Sequence, residues 1–484
     1  MHAFPANAVK HVRIIAFEIH DHMRIRTLLA AAAMLLAGVQ ADAQFFMFGG
    51  SSASRDSLNR IAAEDYADML SKLGIQAPRE GRQPNSQDES KHPNYDELKA
   101  NPYIFYPEAL VTNSGKQVKN ARMWNKLRRG EIVRLFEDNV YGRIPENVPS
   151  VTWQVKSEEQ QDYQGIPVTV RTLAGVVDNS SYPSISVNIE CQIMWPQSVN
   201  EEFRKSGVPV IMEFGFISTG GRQMMPMRAG AGQSWQQMTL ERGWACATIN
   251  PSSIQADAGS GLTNGIIGLC NKGQHRQPAD WGALRAWGWG ASRFIDYLET
   301  CPEFDATKTA IEGVSRYGKA ALVAMAFEPR IAGGFIASSG KAGAAGWRRD
   351  CGESIGNIVS NEEYHWVCGN LIKYGAEPLT EADLPVDQHE LIALCAPRAC
   401  FISTGTFDGD KWQDVVGSFI SAAKASEVYE LLGCKGLGAD VFPGVDNDQL
   451  MEGPLAYRQH HGGHEAGPNW PYFLDFFANQ VVCK

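Results

Sequence analysis

The sequence has no excess of positive charge: 44 Lys and Arg stand against 54 Asp and Glu, a formal net charge of −10. A general nucleic-acid binder needs a basic footprint, so that class is excluded. Glycine and proline, 47 and 24 residues, are too few and show no triplet period, which excludes a collagen. The ten cysteines include no C-x-x-C pair, so nothing reads as a zinc site or a dithiol redox centre. There is no internal repeat and no low-complexity tract. Beyond residue 43 no apolar run is long enough to span a bilayer. What remains is an ordinary globular composition, 44% hydrophobic and 20% charged over 484 residues, enough for one large domain or a few small ones.

The first residues read as an address. Met23-Arg-Ile-Arg26 is basic, Leu28 to Val39 is apolar, and Ala41-Asp42-Ala43 is an A-x-A cleavage pattern. Residues 1–43 are therefore expected to be a signal peptide, with Met23 as a second candidate start and Gln44 opening the mature chain. The expected destination is the periplasm of a bacterium or the exterior. In such a compartment cysteines fit either redox state; one or two disulfides are compatible with the spacing, and Cys246 and Cys400 sit in the apolar contexts of buried thiols.

Residues 44–98 form an N-terminal extension, with a helix from Asp56 to Leu73 and a polar loop from Pro78 to Glu97. From about residue 99 to 484 strand and helix patterns alternate. Pro209–Phe216, Trp244–Ile249, Thr309–Gly313, Ile331–Ala337 and Ala399–Ser403 read as strands. Asp280–Leu298, Lys319–Phe327, Asp414–Leu432 and Trp470–Val482 read as helices. That alternation implies a mostly parallel sheet covered on both faces.

Gly313-Val314-Ser315-Arg316-Tyr317-Gly318-Lys319 lies between an apolar strand and an Ala-rich helix, the context a nucleophile elbow needs. The second glycine comes one residue later than in G-x-S-x-G. A Gly/Ser-rich strand-to-helix turn is also ordinary structure. Two neighbours favour chemistry. The N–H and guanidinium of Arg316 can face an oxyanion. Lys319, one helical turn on, shares the face of Ser315 and is otherwise a solvated lysine. A serine nucleophile needs a histidine held by a carboxylate. In the chain order Ser, acid, His, the histidine falls at His464, in a glycine-rich loop before the last helix. His460, His464 and Glu465 would instead form a metal cluster if they converged. For the acid, Asp408, Asp410 and Asp414 compete after the strand ending near Ser403, with Asp414 placed to cap the next helix.

These residues resemble the G-C-S-R-x-G-K signature of the glucuronoyl esterases, carbohydrate esterase family 15. Trp124 with Arg128-Arg129, Val140-Tyr-Gly-Arg-Ile-Pro145, Trp281 to Gly290, Arg348-Arg349-x-x-Gly352-Glu353 and Asp410-x-Trp412 agree, so the resemblance covers roughly residues 100–484. It implies an α/β-hydrolase fold, a three-layer αβα sandwich around a mostly parallel sheet. It further implies hydrolysis of (4-O-methyl-)glucuronic acid esters, as in lignin–glucuronoxylan linkages, through an acyl-enzyme. Ser315 is then the nucleophile, His464 the base and Arg316 the oxyanion donor, while Lys319, Glu353 and Trp412 bind the uronic acid. Glu353 could equally serve a structural role, pairing with Arg348 or Arg349. The chain departs from the family where many members carry an acid in a Glu-Ser-Gly context: here it reads Ser338-Ser339-Gly340. The acid must then come from the later loop, Asp410 first and Asp408 second. The expected partner is a glucuronoxylan or lignin–carbohydrate ester, with no metal or organic cofactor, no nucleic acid and no membrane, and a monomeric protein. The rivals are another carbohydrate esterase, such as one for acetylxylan, and a degenerate esterase that only binds polysaccharide.

Overall fold

The computed structural model describes residues 52–217, 233–445 and 448–483. The expected leader, residues 1–43, lies outside them. By internal contacts the chain divides into residues 1–61 and 62–484. The sheet, its helices and the site all lie in the second unit; helix α1 (Ser52–Leu73), expected from Asp56, begins in the first.

Nine strands form one sheet in the order β1-β2-β3-β5-β4-β6-β7-β8-β9. β4 (Val208–Phe214), β5 (Ala245–Ile249), β6 (Phe304–Val314), β7 (Gly333–Ala337), β8 (Ala399–Thr404) and β9 (Leu455–Gln459) pair in parallel. They are short and almost wholly buried, as strands covered on both faces must be. The chain moves outward from β4 to β5 and returns to lay β6 on the other side of β4, so the order reverses there. Ligands of open parallel sheets bind at the carboxyl ends of strands beside such a reversal.

β1 (Val151–Tyr163), β2 (Ile166–Val177) and β3 (Asn188–Pro196) add an antiparallel meander that the apolar runs did not reveal. β1 is the edge strand and mostly exposed, so it carries alternation rather than an apolar run. Its turn is Gln164-Gly165, both with positive φ, 54° and 87°, the two-residue loop that matches strand twist.

Helices lie on both faces, and two adjacent glycines of β7 prove it. A Cβ on Gly333 would sit 2.7 Å from Phe477, beside helix α5 (Trp470–Phe477). One on Gly334 would sit 2.6 Å from Met325 Sδ, in helix α3 (Arg316–Phe327). Successive strand residues point to opposite faces, so the two helices sandwich the sheet. Helix α2 (Ala283–Leu298) packs on α3 and buries Trp287, whose indole N–H donates to Gln255 O at 2.9 Å.

The turn from β6 to α3 is strained where it matters. Ser315 has φ 61° and ψ −129°, a region costing about 1–3 kcal/mol for a residue with a side chain. A Cβ on Gly313 would stand 2.1 Å from Tyr317 O, and one on Gly318 2.6 Å from Ala337 O. The late second glycine therefore has a cause: Gly318, rather than residue 317, meets the neighbouring strand. α3 starts three residues before the Lys319 expected, because Ser315 is its N-cap residue.

Residues 79–97 run against the segment 350–381. Arg79 donates to Tyr374 O (2.6 Å) and Leu379 O (2.9 Å), Arg82 to Asp350 (3.0 Å), and Arg349 to Glu97 (3.0 Å). All ten cysteines are described and all are free thiols, Cys246 and Cys400 among the buried ones; the disulfides compatible with the spacing do not form. Among the described residues no helix is long and apolar enough to cross a membrane.

Gly313→Ala forces its new methyl onto Tyr317 O. A loss of about 2–4 kcal/mol in unfolding free energy is expected, measured by denaturant titration.

Candidate active site

Four carboxyl-terminal strand ends, those of β6, β7, β8 and β9, converge on the site. β6 delivers Ser315, half-buried, whose N–H donates to Ala337 O at the end of β7 (3.0 Å). The next residue of β7, Ser338, is fully buried with φ 45°, and its N–H donates to Ser403 O of β8 (2.8 Å). Beyond β8, Thr406 caps the one-turn helix Phe407–Asp410. That turn ends with Asp410 buried, 3% exposed. β9 leads to His464, whose side chain keeps 40% of its exposure. His464 Nδ1 lies 2.8 Å from Asp410 Oδ1, and the other carboxylate oxygen accepts from Ser338 Oγ (2.6 Å) and Gly405 N (3.0 Å).

The loops that carry Asp410 and His464 meet backbone to backbone. Thr406 N and Oγ1 both donate to Gly462 O at 3.0 Å. A Cβ on Gly405 would lie 2.3 Å from Gly463 O, so the approach requires glycine. The Ser315 hydroxyl makes no hydrogen bond among the described residues. Serine and imidazole are often further apart before substrate arrives than in the reacting complex.

Arg316 opens α3 and turns its guanidinium toward Asp257, with Nε 2.8 Å from Oδ2. The other oxygen of Asp257 faces His365 Nε2 (3.0 Å) and accepts from Trp366 Nε1 (2.7 Å). Burial works to raise the pKa of this carboxyl. The hydrogen bond and charge of His365, the charge of Arg316 and the Trp366 N–H outweigh it and hold the pKa below the ordinary value.

Lys319 is buried at 2% exposure, not solvated. Its ammonium donates to Glu353 Oε2 (2.8 Å) and Lys341 O (2.6 Å) and lies 5.7 Å from the Trp366 ring centre. Glu353 also accepts from Lys341 N (2.9 Å), and its own N–H donates to Trp412 O (2.9 Å). Lys319, Glu353 and Trp412 are thus one cluster. The pairing of Glu353 with Arg348 or Arg349 is not what forms. Arg348 binds Asp387 at 3.2 Å, and Arg349 binds Asp414 at 2.9 Å and Glu97 at 3.0 Å.

The two competing aspartates stand away from His464. Asp408 is exposed, on the outside of the turn that buries Asp410. Asp414 is the N-cap of helix α4 (Val415–Leu431), accepting from Gly417 N at 2.9 Å. His460 is buried with Nδ1 3.0 Å from Asn469, while His464 turns to Asp410, so His460, His464 and Glu465 do not converge on a metal. Glu97, Cys351 and Asp414 do converge, around the Arg349 guanidinium.

Sequence reasoning missed Ser338 as a partner of the acid, and Asp257, His365, Trp366 and Glu363 altogether. None has a local motif: Ser338 reaches Asp410 across 72 residues of chain, and Asp257 reaches His365 and Trp366 across 108 and 109. Glu363 precedes the single turn Tyr364–Trp366, and its Oε2 is enclosed with no partner among the described residues. Burial and then the negative charge of Glu353 push its pKa up to about 8, against the pull of Lys319 and Arg316.

A family model described as glucuronyl esterase, fungi, matches residues 186–433. A carbohydrate esterase from an unknown prokaryotic organism is 30% identical over 410 residues, 80% of this chain and 92% of its own. A 4-O-methyl-glucuronoyl methylesterase of Wolfiporia cocos is 38% identical over 335 residues, 68% of this chain and 72% of its own. The structure of a family 15 glucuronoyl esterase from Teredinibacter turnerae is similar with a TM-score of 0.79 at 36% identity, covering 87% of this chain and 99% of that one.

The folded chain keeps the Glu363 proton to about pH 8, whereas an unfolded glutamate loses it near 4.5. Between those values the unfolded state binds fewer protons, so this residue lowers stability as pH rises. The melting temperature of Glu363→Gln relative to wild type should rise between pH 5 and pH 8 and then level off.

Proposed function

Because the chain belongs to the glucuronoyl esterases of carbohydrate esterase family 15, which hydrolyse glucuronic acid esters, we propose that Ser315, His464 and Asp410 perform that hydrolysis through an acyl-enzyme. The observation that carries this reading is the Asp410 carboxylate, held by His464 on one oxygen and by Ser338 and Gly405 on the other. An acid at Nδ1 fixes the tautomer that leaves Nε2 to take a proton, and it stabilises the imidazolium that follows.

His464 Nε2 takes the proton of Ser315 Oγ as the oxygen attacks the ester carbonyl. The resulting oxyanion meets the N–H at the start of α3 and the guanidinium of Arg316, which favour negative charge at that point. His464 then gives its proton to the leaving alcohol. Water, deprotonated by the same imidazole, releases the uronic acid.

A uronic acid ester is neutral and rich in hydroxyls. Lys319 has three N–H donors; two are placed on Glu353 and Lys341, and the third meets a ring hydroxyl. Glu353 accepts from a neighbouring hydroxyl, and Trp412, half-buried beside it, covers a face of the ring. The natural substrate on this reading is a glucuronoxylan ester, including those that join xylan to lignin alcohols. Residues 1–43 direct export, 44–98 are an extension and 99–484 are the catalytic domain of a monomer.

Hydrolysis of benzyl glucuronate by the chain from Gln44 tests the reading. Ser315→Ala should abolish turnover. Asp410→Asn should lower kcat by about 10⁴-fold, while Asp408→Asn leaves it unchanged. Equal losses at Asp408 and Asp410, or turnover of acetyl esters alone, would defeat the assignment.

A further inference from the structure

We infer that Asp257, clamped by His365 and Trp366, is the positioning residue that holds the Arg316 guanidinium at the oxyanion. The inference rests on the role proposed for Arg316 and adds what makes that role work.

An arginine side chain has many rotamers, and ordering it costs conformational entropy. A donor that stabilises a transition state is effective when it is already in place and need not reorganise during the reaction. Arg316 keeps 28% of its side-chain exposure, so packing alone does not hold it. Asp257 takes its Nε edge at 2.8 Å. The ion pair holds the Nε edge of the guanidinium against Asp257, with the two terminal nitrogens at the far end of the side chain.

Asp257 is itself held. One oxygen faces Arg316, and the other meets both the Trp366 indole N–H (2.7 Å) and His365 Nε2 (3.0 Å). His365 is 2% exposed, and its Nδ1 is enclosed without a hydrogen-bond partner among the described residues. Its one polar contact among the described residues is therefore the carboxylate, at Nε2. Both donors come from the single turn Tyr364–Trp366. Trp366 also faces the Lys319 ammonium, 5.7 Å from its ring centre. One turn of chain thus registers the oxyanion donor against the uronate-binding lysine.

There is an electrostatic reason for a dedicated anchor. Glu353 and Glu363 lie in the same site, and the charge of Arg316 is felt at Glu363. Asp257 occupies the cation first, at its rear edge. The two donors on its other oxygen draw off part of the charge that would otherwise weaken the field of Arg316 at the substrate.

The test is a double-mutant cycle on benzyl glucuronate, with melting temperatures followed alongside. Asp257→Asn keeps the shape and removes the charge. It should lower kcat by about 10- to 100-fold, as a misplaced catalytic group does, with KM little changed. Arg316→Ala should cost about 10²–10³ in kcat. Asp257→Asn added to Arg316→Ala should cost nothing more, because a residue that acts only through Arg316 has nothing left to position. Asp257→Glu, which keeps the charge one carbon further out, should retain more kcat than Asp257→Asn, and it serves as the test should the asparagine variant fold poorly. A silent Asp257→Asn beside an impaired Arg316→Ala would overturn the inference alone. So would a full Asp257 loss reappearing in the Arg316→Ala background. An Arg316→Ala enzyme as fast as wild type would remove the proposed role of Arg316 and this inference with it.

Discussion

A carboxylate buried almost completely, Asp410 at 3% exposure, sets the terms for the rest of the site. An ion of that size without partners in the interior costs several kcal/mol even after relaxation. Asp410 meets that cost with the His464 ring, the Ser338 hydroxyl and the Gly405 N–H. Each partner comes from a different strand end, so the carboxylate is fully partnered only where β7, β8 and β9 deliver their loops in register. Removing one hydrogen-bonding partner from a buried charge costs more than the bond itself is worth. The loops carrying His464 and Asp410 are therefore tied to each other through the charge they share, as well as through the glycine contacts at 405 and 463.

A second buried pair lies on the proposed substrate side. Lys319 and Glu353 are 2% and 4% exposed and 2.8 Å apart. Such pairs are weak evidence for net stability, yet breaking one by removing a partner costs about 3–5 kcal/mol. The proposed function explains the arrangement better than stability does. A neutral, hydroxyl-rich ring needs a donor and an acceptor side by side, and two opposite charges in contact supply both without leaving net charge in the site. Glu363 marks the limit of that logic. A further carboxyl near Glu353 has no ion-pair partner among the described residues, and burial holds its proton on.

Much of this is legible in the residue order, for physical reasons. The parallel strands are short apolar runs bounded by glycine. The elbow is a local motif, and His464 follows from chain order. Helix capping narrows the choice among three aspartates, since Asp414 has a visible structural task. The antiparallel meander is harder to see, because β1 is an exposed edge strand and carries alternation in place of an apolar run. Lys319 is ambiguous because burial is set by what packs over a helix face, and the covering loop, Ser338 to Glu353, comes some twenty residues later. Asp257, His365 and Trp366 are illegible for the same reason: tertiary contact alone joins residue 257 to residues 316 and 365.

On the roles proposed, Ser338 shows how a site without an acid at the end of β7 can still hold one against His464. The end of β7 lies beside the loop after β8, and Ser338 N–H on Ser403 O fixes the spacing at 2.8 Å. With a carboxylate at 338, Asp410 Oδ2 would face a like charge where it now accepts a hydrogen bond at 2.6 Å. Two carboxylates in such a site cannot both stay ionised, and the proton they shared would weaken the hold on the imidazole. A serine at 338 and an aspartate at 410 are therefore matched. The hydroxyl donates to Asp410, and on the roles proposed the triad keeps a single negative charge on the far side of His464.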